Sequence, residues 1–234
     1  MNEETKRSEE IDIKSLKRRA IVLVSLVYLV LGLAFFLPAG TFNYWQGWAY
    51  IFTIAIPMII FGVYMFRHDP KLLERRLRTK EKRKEQKLIV KLGILPFLFA
   101  FILPGFDKRF GWSAVPLSAT IIGLALVLLG YLMTLCVFKI NSYASRVIEV
   151  EKEQKVISTG PYALVRHPMY VAIIIFYGAS PLALGSYWAL IPALLIIPIL
   201  VVRIKDEEKE LLENLKGYRE YAQKVKYRLI PGVW

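Results

Sequence analysis

The chain of 234 residues is 56% hydrophobic and carries a net charge of +13. A soluble domain is about 45–50% apolar, so this excess, gathered in long uninterrupted runs, is typical of a membrane protein. Cys136 is the one cysteine in the sequence, which excludes an intrachain disulfide and a thiolate metal cluster. The sequence has no glycine-rich dinucleotide loop and no Walker A loop, and its two histidines form no metal-binding pair. We therefore predict no metal site.

Apolar runs and their charged flanks predict the membrane topology. The first 19 residues are charged and lack a signal-peptide cleavage site, so we expect them to remain as a cytosolic segment. Gly185 and Ser186 follow the fifth apolar run without a charge, which predicts that the last two spans form a helical hairpin. The third and fifth runs are short for a hydrocarbon core about 30 Å thick. Six spans are predicted, at residues 20–37, 48–66, 88–104, 114–138, 169–184 and 187–202.

The distribution of positive charge supports this topology. Segments on one side of the six spans hold 30 of the 32 Lys and Arg residues, and those on the other side hold 2. By the positive-inside rule, both termini lie in the cytosol. The basic loop 67–87 is either an amphipathic helix along the headgroups or a solvated cytosolic helix. Because the basic loops lack aromatic stacking platforms, we predict no nucleic-acid partner.

The predicted fold class is thus an all-α integral membrane protein with a cytosolic site. The 234 residues are expected to form a single domain. It comprises a cytosolic segment (1–19), four N-terminal spans (20–138), and a part that holds the chemistry (139–234).

The segment 160–170, which reads GPYALVRHPMY, concentrates polar and ring-bearing side chains at the mouth of the fifth span. Pro168 disfavours helix at His167 and suits the first turn of the helix that follows. His167 is therefore expected at a helix N-terminus, where backbone N–H groups attract anions, and Tyr170 in the first turn can reach the same space. The alternative interpretation is an interfacial belt in which Arg166 and the tyrosines anchor the span.

A second polar cluster leaves the membrane with the last span. Arg203 and Glu207 are four residues apart and share one helical face. An intrahelical ion pair on a solvated face would also explain them. However, Arg203 follows directly on apolar residues, where an uncompensated guanidinium is costly. The predicted hairpin returns this cluster to the side of His167, and residues 218–221 and 227–231 can fold back over both as a lid.

Four motifs in this order resemble a known family. GPYALVRHPMY is followed by a hydrophobic hairpin, R-x-x-x-E-E-x-x-L from Arg203, G-Y-x-x-Y from Gly217 and R-x-x-P from Arg228. The arrangement resembles the isoprenylcysteine carboxyl methyltransferase family of integral membrane methyltransferases, and its prokaryotic members in particular. The resemblance covers about residues 141–231, whereas the first spans match in general character.

The resemblance implies S-adenosylmethionine as the methyl donor and S-adenosylhomocysteine as its product. It also implies that Arg203 is the catalytic residue, which handles the carboxylate of the acceptor. The cofactor-binding residues implied in the same way are Lys155, Val156, Ile157, Tyr162, Arg166, His167, Pro168, Met169, Tyr170, Glu207 and Glu208.

The chemistry of these side chains is consistent with that role. A carboxylate acceptor is already ionised at neutral pH, so it needs an orienting cation and no general base. Expected partners are the bilayer and a lipophilic small-molecule or prenylated acceptor. The sequence gives neither the identity of the acceptor nor the oligomeric state. Methylation of a phospholipid amine or of a small hydrophobic acid or thiol is an alternative. Two further alternatives are a reductase of the sterol-reductase type that uses NADPH, and a membrane protein without enzymatic activity.

Overall fold

A computed structural model describes residues 13–77, 84–144, 150 and 154–234 of the chain. In these residues the secondary structure is helical and no strand is present. The α-helices are α1 (Ile13–Ala39), α2 (Trp45–His68), α3 (Pro70–Leu77), α4 (Lys84–Phe110), α5 (Leu117–Ile140), α6 (Pro168–Ala183), α7 (Leu190–Leu194), α8 (Ile196–Asn214) and α9 (Tyr218–Lys224), and a 3₁₀ turn covers Gly160–Ala163. The predicted N-terminal segment lies mostly outside the described residues.

Four helices, α1, α2, α4 and α5, are long and apolar enough to cross a membrane. Between 17% and 28% of their most apolar windows is buried inside the protein, so most of these apolar side chains face outward, as lipid contact requires. The third predicted span is longer than expected, because α4 continues through both Pro96 and Pro104. The all-α class with several apolar helices is thus confirmed, with four candidate spans among the described residues. A full crossing by α6 and by the segment after it stays a prediction.

The last two predicted spans form the expected turn but not two simple helices. Gly185 adopts φ +76°, a left-handed conformation that reverses the chain after α6. The return path is divided at Leu195 between the short α7 and the long α8. As a result α8 extends well past the apolar run and carries the polar cluster of residues 203–208 in one continuous helix.

Helices α5 and α6 pack with their backbones almost in contact. A Cβ atom added to Gly123 would lie 2.5 Å from the backbone N of Ala183, and one added to Gly130 would lie 2.8 Å from the backbone O of Ala172. Small residues at such a crossing are typical of helix pairs in membranes, where close packing replaces the hydrophobic driving force. This pairing fixes the start of α6, and therefore His167, relative to the end of α5.

The end of the bundle away from His167 is held by Asp107. Its carboxylate accepts hydrogen bonds from Ser113 Oγ at 2.6 Å and from Ser186 Oγ at 2.5 Å. Tyr44 Oη donates to the Leu184 carbonyl at 2.5 Å. The turn of the α6–α8 hairpin is thereby tied to α2 and α4.

The described part of the basic loop is packed against the bundle. Asp69 Oδ1 accepts from the Leu72 N–H at 2.9 Å, which caps α3, and the Leu72 side chain is 1% exposed. Arg75 Nη1 donates to the Ser142 carbonyl at 2.8 Å. Residues 70–77 therefore form a helix that packs on the ends of the spans rather than a free solvated helix, and residues 78–83 lie outside the described residues.

Candidate active site

Both polar clusters predicted from the sequence line one cavity at the end of the bundle opposite Asp107. The start of α6 supplies one wall, α8 supplies a second, and α9 with the segment before the 3₁₀ turn closes the space. Eleven of the twelve predicted site residues line this cavity: Lys155, Val156, Ile157, Tyr162, Arg166, His167, Pro168, Met169, Tyr170, Arg203 and Glu207. Glu208 lies behind the wall instead.

The helix that carries His167 begins as predicted. Pro168 occupies the first helical position of α6 and His167 precedes it. The His167 backbone N–H, however, donates to the Arg228 carbonyl at 2.9 Å, and the Arg166 N–H donates to the Tyr227 carbonyl at 2.9 Å. The C-terminal segment thus takes up backbone donors that the sequence analysis expected to face an anion.

Tyr170 connects the two sides of the cavity. Its Oη donates to Glu207 Oε2 at 2.6 Å and accepts from Arg203 Nε at 3.1 Å. Tyr170 is 3% exposed. Because both partners lie on one face of α8, this buried hydroxyl fixes their rotamers relative to the start of α6.

Gln86 does not line the cavity but contacts Arg203, and no prediction from the sequence included it. It is fully buried near the start of α4, and its Oε1 accepts from Arg203 Nη1 at 2.9 Å while its Nε2 donates to Asp206. A neutral amide can satisfy the cation and the anion at once, which neither a Lys nor a Glu can do. Gln86 lies in a highly charged stretch, so nothing in the local pattern separates it from its solvated neighbours.

Glu208 joins two arginines and a histidine behind the cavity. Its Oε1 accepts from Arg166 Nε at 2.7 Å and contacts His167 Nε2 at 3.2 Å, and its Oε2 accepts from Arg228 Nε at 2.6 Å. Burial raises the pKa of the carboxyl, but the hydrogen bonds from His167, Arg228 and Arg166 together outweigh it and lower the pKa of Glu208 to about 2. The group is therefore an anion that holds the walls together.

Arg166 also fixes the C-terminal helix. Its Nη1 donates to the carbonyls of Ala222, Val225 and Lys226 at 3.3, 2.9 and 3.1 Å. A guanidinium at the C-terminus of α9 satisfies carbonyls without intrahelical partners and interacts favourably with the helix dipole. The segment predicted as a lid is thus attached to the R-H-P-x-Y motif through both backbone and side chain.

Three tyrosines form the aromatic side of the cavity. Tyr162 Oη accepts from Asn141 Nδ2 at 2.8 Å, and Tyr221 Oη donates to the Tyr162 carbonyl at 2.7 Å. Burial raises the pKa of Tyr162 to about 12, so its hydroxyl stays protonated. The buried Tyr218 Oη has no hydrogen-bond partner among the described residues, although Tyr218 lines the cavity. Buried hydroxyls are rarely left without a partner, so this atom indicates a ligand that supplies one.

Several cavity residues carried no recognisable signal in the sequence. They are ordinary polar and apolar residues that tertiary structure brings together, namely Asn141, Tyr143, Ala144, Val150, Gln154, Glu210 and Leu215. Leu211 also lines the cavity and is the leucine of the R-x-x-x-E-E-x-x-L motif, although no ligand contact was assigned to it. Tyr218 and Tyr221 belong to the G-Y-x-x-Y motif and were expected as a lid, without a ligand contact assigned to either.

This arrangement defines a helical protein with several apolar helices and a mixed site at one end of the bundle, in which carboxylates, arginines, a histidine and aromatic rings surround a cavity. A family model described as the isoprenylcysteine carboxyl methyltransferase (ICMT) family matches residues 121–213. The match confirms the resemblance found in the sequence over this stretch, which is similar to that family. The matched stretch extends from the second turn of α5 to the end of α8 and so includes Arg166, His167, Arg203 and Glu207.

A solved structure described as the eukaryotic intramembrane Ras methyltransferase ICMT, without a monobody, is 17% identical in sequence. The alignment covers 91% of this chain and 86% of that chain, with a TM-score of 0.48. No curated protein matches the sequence.

Proposed function

We propose that the protein transfers a methyl group from S-adenosylmethionine to the carboxylate of a lipophilic acceptor of the isoprenylcysteine type. The observation that carries the proposal is the convergence of Tyr170, Glu207 and Arg203 on one cavity, within the stretch matched by the family. Bound there, S-adenosylmethionine would supply an electrophilic methyl group on a sulfonium.

The side chains around the cavity suit this donor. Glu207 offers a carboxylate for the ammonium group of the cofactor, held in place by the Tyr170 hydroxyl. The imidazole of His167 lines the same cavity and suits the carboxylate of the cofactor. The rings of Tyr162 and Tyr218 suit the adenine or the sulfonium, and the Tyr218 hydroxyl gains the partner that it lacks. Lys155, Val156 and Ile157 are assigned to the edge of the adenosine site, and Pro168 and Met169 to its floor.

Arg203 is assigned to the acceptor. Its guanidinium lies between Tyr170 and Gln86, on the α8 face that also carries Glu207. A planar guanidinium can bind a carboxylate through two parallel hydrogen bonds and so orient one oxygen for in-line attack. Because that oxygen is already anionic, Arg203 contributes orientation and charge stabilisation, and no residue has to remove a proton.

The cavity is assigned to the cytosolic face. It lies at the end of the bundle where α1 begins and where α2, α5 and α8 end, which is the end that carries nearly all the Lys and Arg residues. The positive-inside rule places such an end in the cytosol. A lipophilic acceptor would enter from the bilayer between the spans and present its carboxylate at the headgroup level.

Binding and turnover can be tested separately on purified protein in detergent. Isothermal titration calorimetry with S-adenosylhomocysteine is expected to show saturable binding, and NADPH is expected to show none. A tritiated-methyl assay with S-adenosylmethionine and a prenylated cysteine should then give a base-labile methyl ester. The same assay with extracted host lipids would identify an alternative acceptor.

Two outcomes would overturn parts of the proposal. Folded protein without affinity for S-adenosylhomocysteine would rule out the cofactor assignment. Binding of S-adenosylhomocysteine together with base-stable methylation of a phospholipid amine would support a methyltransferase. It would, however, overturn the assignment of a carboxylate as the methyl acceptor.

A further inference from the structure

A second, larger cavity lies on the other side of α3 and has no role in the proposed reaction. It is a groove of about 460 Å³ bounded by α1, α2, α3 and the second half of α5. Its volume falls within the range of about 300–1,000 Å³ typical of ligand sites. The lining is almost entirely apolar, with Ile21, Val24, Ile59, Val63, Leu73 and Leu135 among its residues.

Two cations lie at the headgroup end of this groove. Lys17 approaches from the first turns of α1 and Arg76 from the end of α3, and the guanidinium carbon of Arg76 lies 4.4 Å from the centre of the Phe138 ring. The residues that line the groove in the described part of the chain include no carboxylate. Glu74 is the single acid on α3, beside Lys71, Arg75 and Arg76.

The apolar lining and the two cations follow one another along the groove in the order that would bind the acyl chain and the phosphate of a phospholipid. Apolar side chains from the spans hold a chain that lies in the hydrocarbon layer, and the cations follow where α1 begins and α2 ends. We propose that the groove binds an acyl chain of an anionic phospholipid whose phosphate is held by Lys17 and Arg76. A zwitterionic lipid fills the same apolar space, but its headgroup places a third cation beside Lys17 and Arg76.

The lipid is also positioned to affect the candidate active site. Arg76 is adjacent to Arg75, whose guanidinium donates to the Ser142 carbonyl and lies 5.3 Å from the centre of the Tyr143 ring. Tyr143 lines the first cavity. Lipid in the groove would therefore hold α3 against the wall of that cavity, although lipid binding itself does not depend on the proposed reaction.

The glycines offer a matched pair of variants. A Cβ atom added to Gly62, which lines the groove, meets no atom within 4 Å, and the same holds for Gly32 on α1, which does not line it. Gly62→Phe therefore places a ring in the groove without a backbone clash. Gly32→Phe places the same ring on the outer surface of α1, outside the groove. Lys71→Gln removes a basic charge from α3 outside the groove and serves as the control for Lys17→Gln and Arg76→Gln.

The experiment is native mass spectrometry of the full chain, titrated in detergent with phosphatidylglycerol or phosphatidylcholine. We expect one phosphatidylglycerol to bind with higher affinity than phosphatidylcholine. Each of Lys17→Gln and Arg76→Gln should weaken phosphatidylglycerol about fivefold and leave phosphatidylcholine unchanged. Gly62→Phe should abolish this binding event, whereas Gly32→Phe and Lys71→Gln should bind as the wild type does.

Equal affinity for the two lipids would overturn the proposal, and so would unchanged phosphatidylglycerol binding in Gly62→Phe. Tighter binding of a neutral prenyl lipid than of phosphatidylglycerol would assign the groove to the acceptor instead and would also overturn it. Helical circular dichroism of each variant shows whether it is folded, and the two single-charge variants test the site should Gly62→Phe not fold.

Discussion

The Tyr170 hydroxyl donates a hydrogen bond of 2.6 Å to Glu207 and so joins the first turn of α6 to the middle of α8. The two residues are 37 positions apart and belong to different motifs of the sequence. Since Arg203 donates to the same hydroxyl, displacement of the Tyr170 ring would release both a proposed cofactor ligand and the proposed acceptor ligand. The geometry of the site therefore depends on the hairpin that returns α8 to the start of α6.

Replacement of Glu207 by Gln should weaken cofactor binding. The variant keeps the size of the side chain but removes the charge proposed to pair with the ammonium group of the cofactor. Hydrogen bonds to charged groups contribute about 1.5–3 kcal/mol, so the Kd for S-adenosylhomocysteine should rise roughly 10- to 100-fold by calorimetry. Glu213→Gln, which changes an exposed carboxylate on the same helix, should bind as the wild type does. Unchanged affinity in Glu207→Gln would remove Glu207 from the cofactor site.

Replacement of Arg203 by Lys should abolish turnover while cofactor binding persists. A lysine keeps the positive charge but cannot form two parallel hydrogen bonds to a carboxylate or contact Tyr170 and Gln86 at once. We expect kcat/KM for a prenylated cysteine to fall at least about 100-fold, since misplacement of a reacting group by about 1 Å costs that much. Calorimetry with S-adenosylhomocysteine should change little. Lys205→Gln, at an exposed site two residues away, is the matched control, and full activity of Arg203→Lys would contradict the acceptor role.

Gln86 is expected to act through Arg203 as a positioning residue. Gln86→Leu removes the acceptor for Arg203 Nη1 and the donor to Asp206 and leaves both charged groups without this buried partner. The KM for the acceptor should rise about tenfold or more, because one hydrogen bond to a charged group is lost, while S-adenosylhomocysteine affinity stays nearly constant. Gln86→Glu pairs with Arg203 but repels Asp206, so it should restore part of the acceptor affinity. Equal loss of cofactor and acceptor binding would indicate a purely structural role.

The sequence predicted the membrane class, the start of α6 and the convergence of two motifs because each has a strong local cause. Pro168 sets a helix boundary, and Arg203 beside an apolar run demands a partner. It could not predict Gln86 as the partner of Arg203, because that contact spans 117 residues and depends on how α4 packs against α8. Glu208 was predicted beside the cofactor, yet its orientation away from the cavity depends on Arg228, which lies beyond the hairpin.

The membrane spans illustrate the same limit. Apolar length alone located α2 and α5 to within three residues of their bounds, whereas α1 begins at Ile13, well before the predicted start at residue 20. The break at Leu195 lies between Pro192 and Pro198, and Pro198 in the first turn of α8 cannot donate to the Leu194 carbonyl. Because α4 continues through Pro96 and Pro104, however, proline alone does not decide where a helix is interrupted. The close approach of α5 to α6 is likewise a tertiary property, since Gly123 and Gly130 resemble other glycines of the spans until the partner backbone is known.

The glycine contact between α5 and α6 predicts a site-specific loss of stability. A Cβ atom at Gly130 would lie 2.8 Å from backbone atoms of Ala172 and Phe176, whereas one at Gly178 on α6 meets nothing within 4 Å. Gly130→Ala should therefore lower the free energy of unfolding by about 1–3 kcal/mol, because backbone atoms cannot yield as a flexible side chain can. Gly178→Ala should be neutral or slightly stabilising, since alanine favours a helix. Thermal unfolding in one detergent compares the two, and equal melting temperatures would contradict the close packing.

Glu208 predicts an acid-dependent loss of stability. Its pKa is lowered from an ordinary 4.5 to about 2 in the folded protein, so the unfolded chain binds the proton more readily than the folded chain does. The stabilisation is therefore fully present above about pH 4.5 and is lost as the pH falls towards 2. A difference of this size corresponds to about 3 kcal/mol at neutral pH.

The glutamine variant isolates this contribution from that of the other carboxylates. Glu208→Gln leaves Arg166 and Arg228 without their buried anion and should melt well below the wild type at pH 7. The difference in melting temperature between the two proteins should shrink as the pH is lowered from 5 towards 3, because the wild type loses the contribution that the variant never had. Glu213→Gln, which changes an exposed carboxylate on α8, should show no such convergence. A difference that stayed constant over this range would mean that Glu208 holds an ordinary pKa, and the link between the R-H-P-x-Y motif and the C-terminal segment would then rest on the backbone hydrogen bonds of Arg166 and His167 alone.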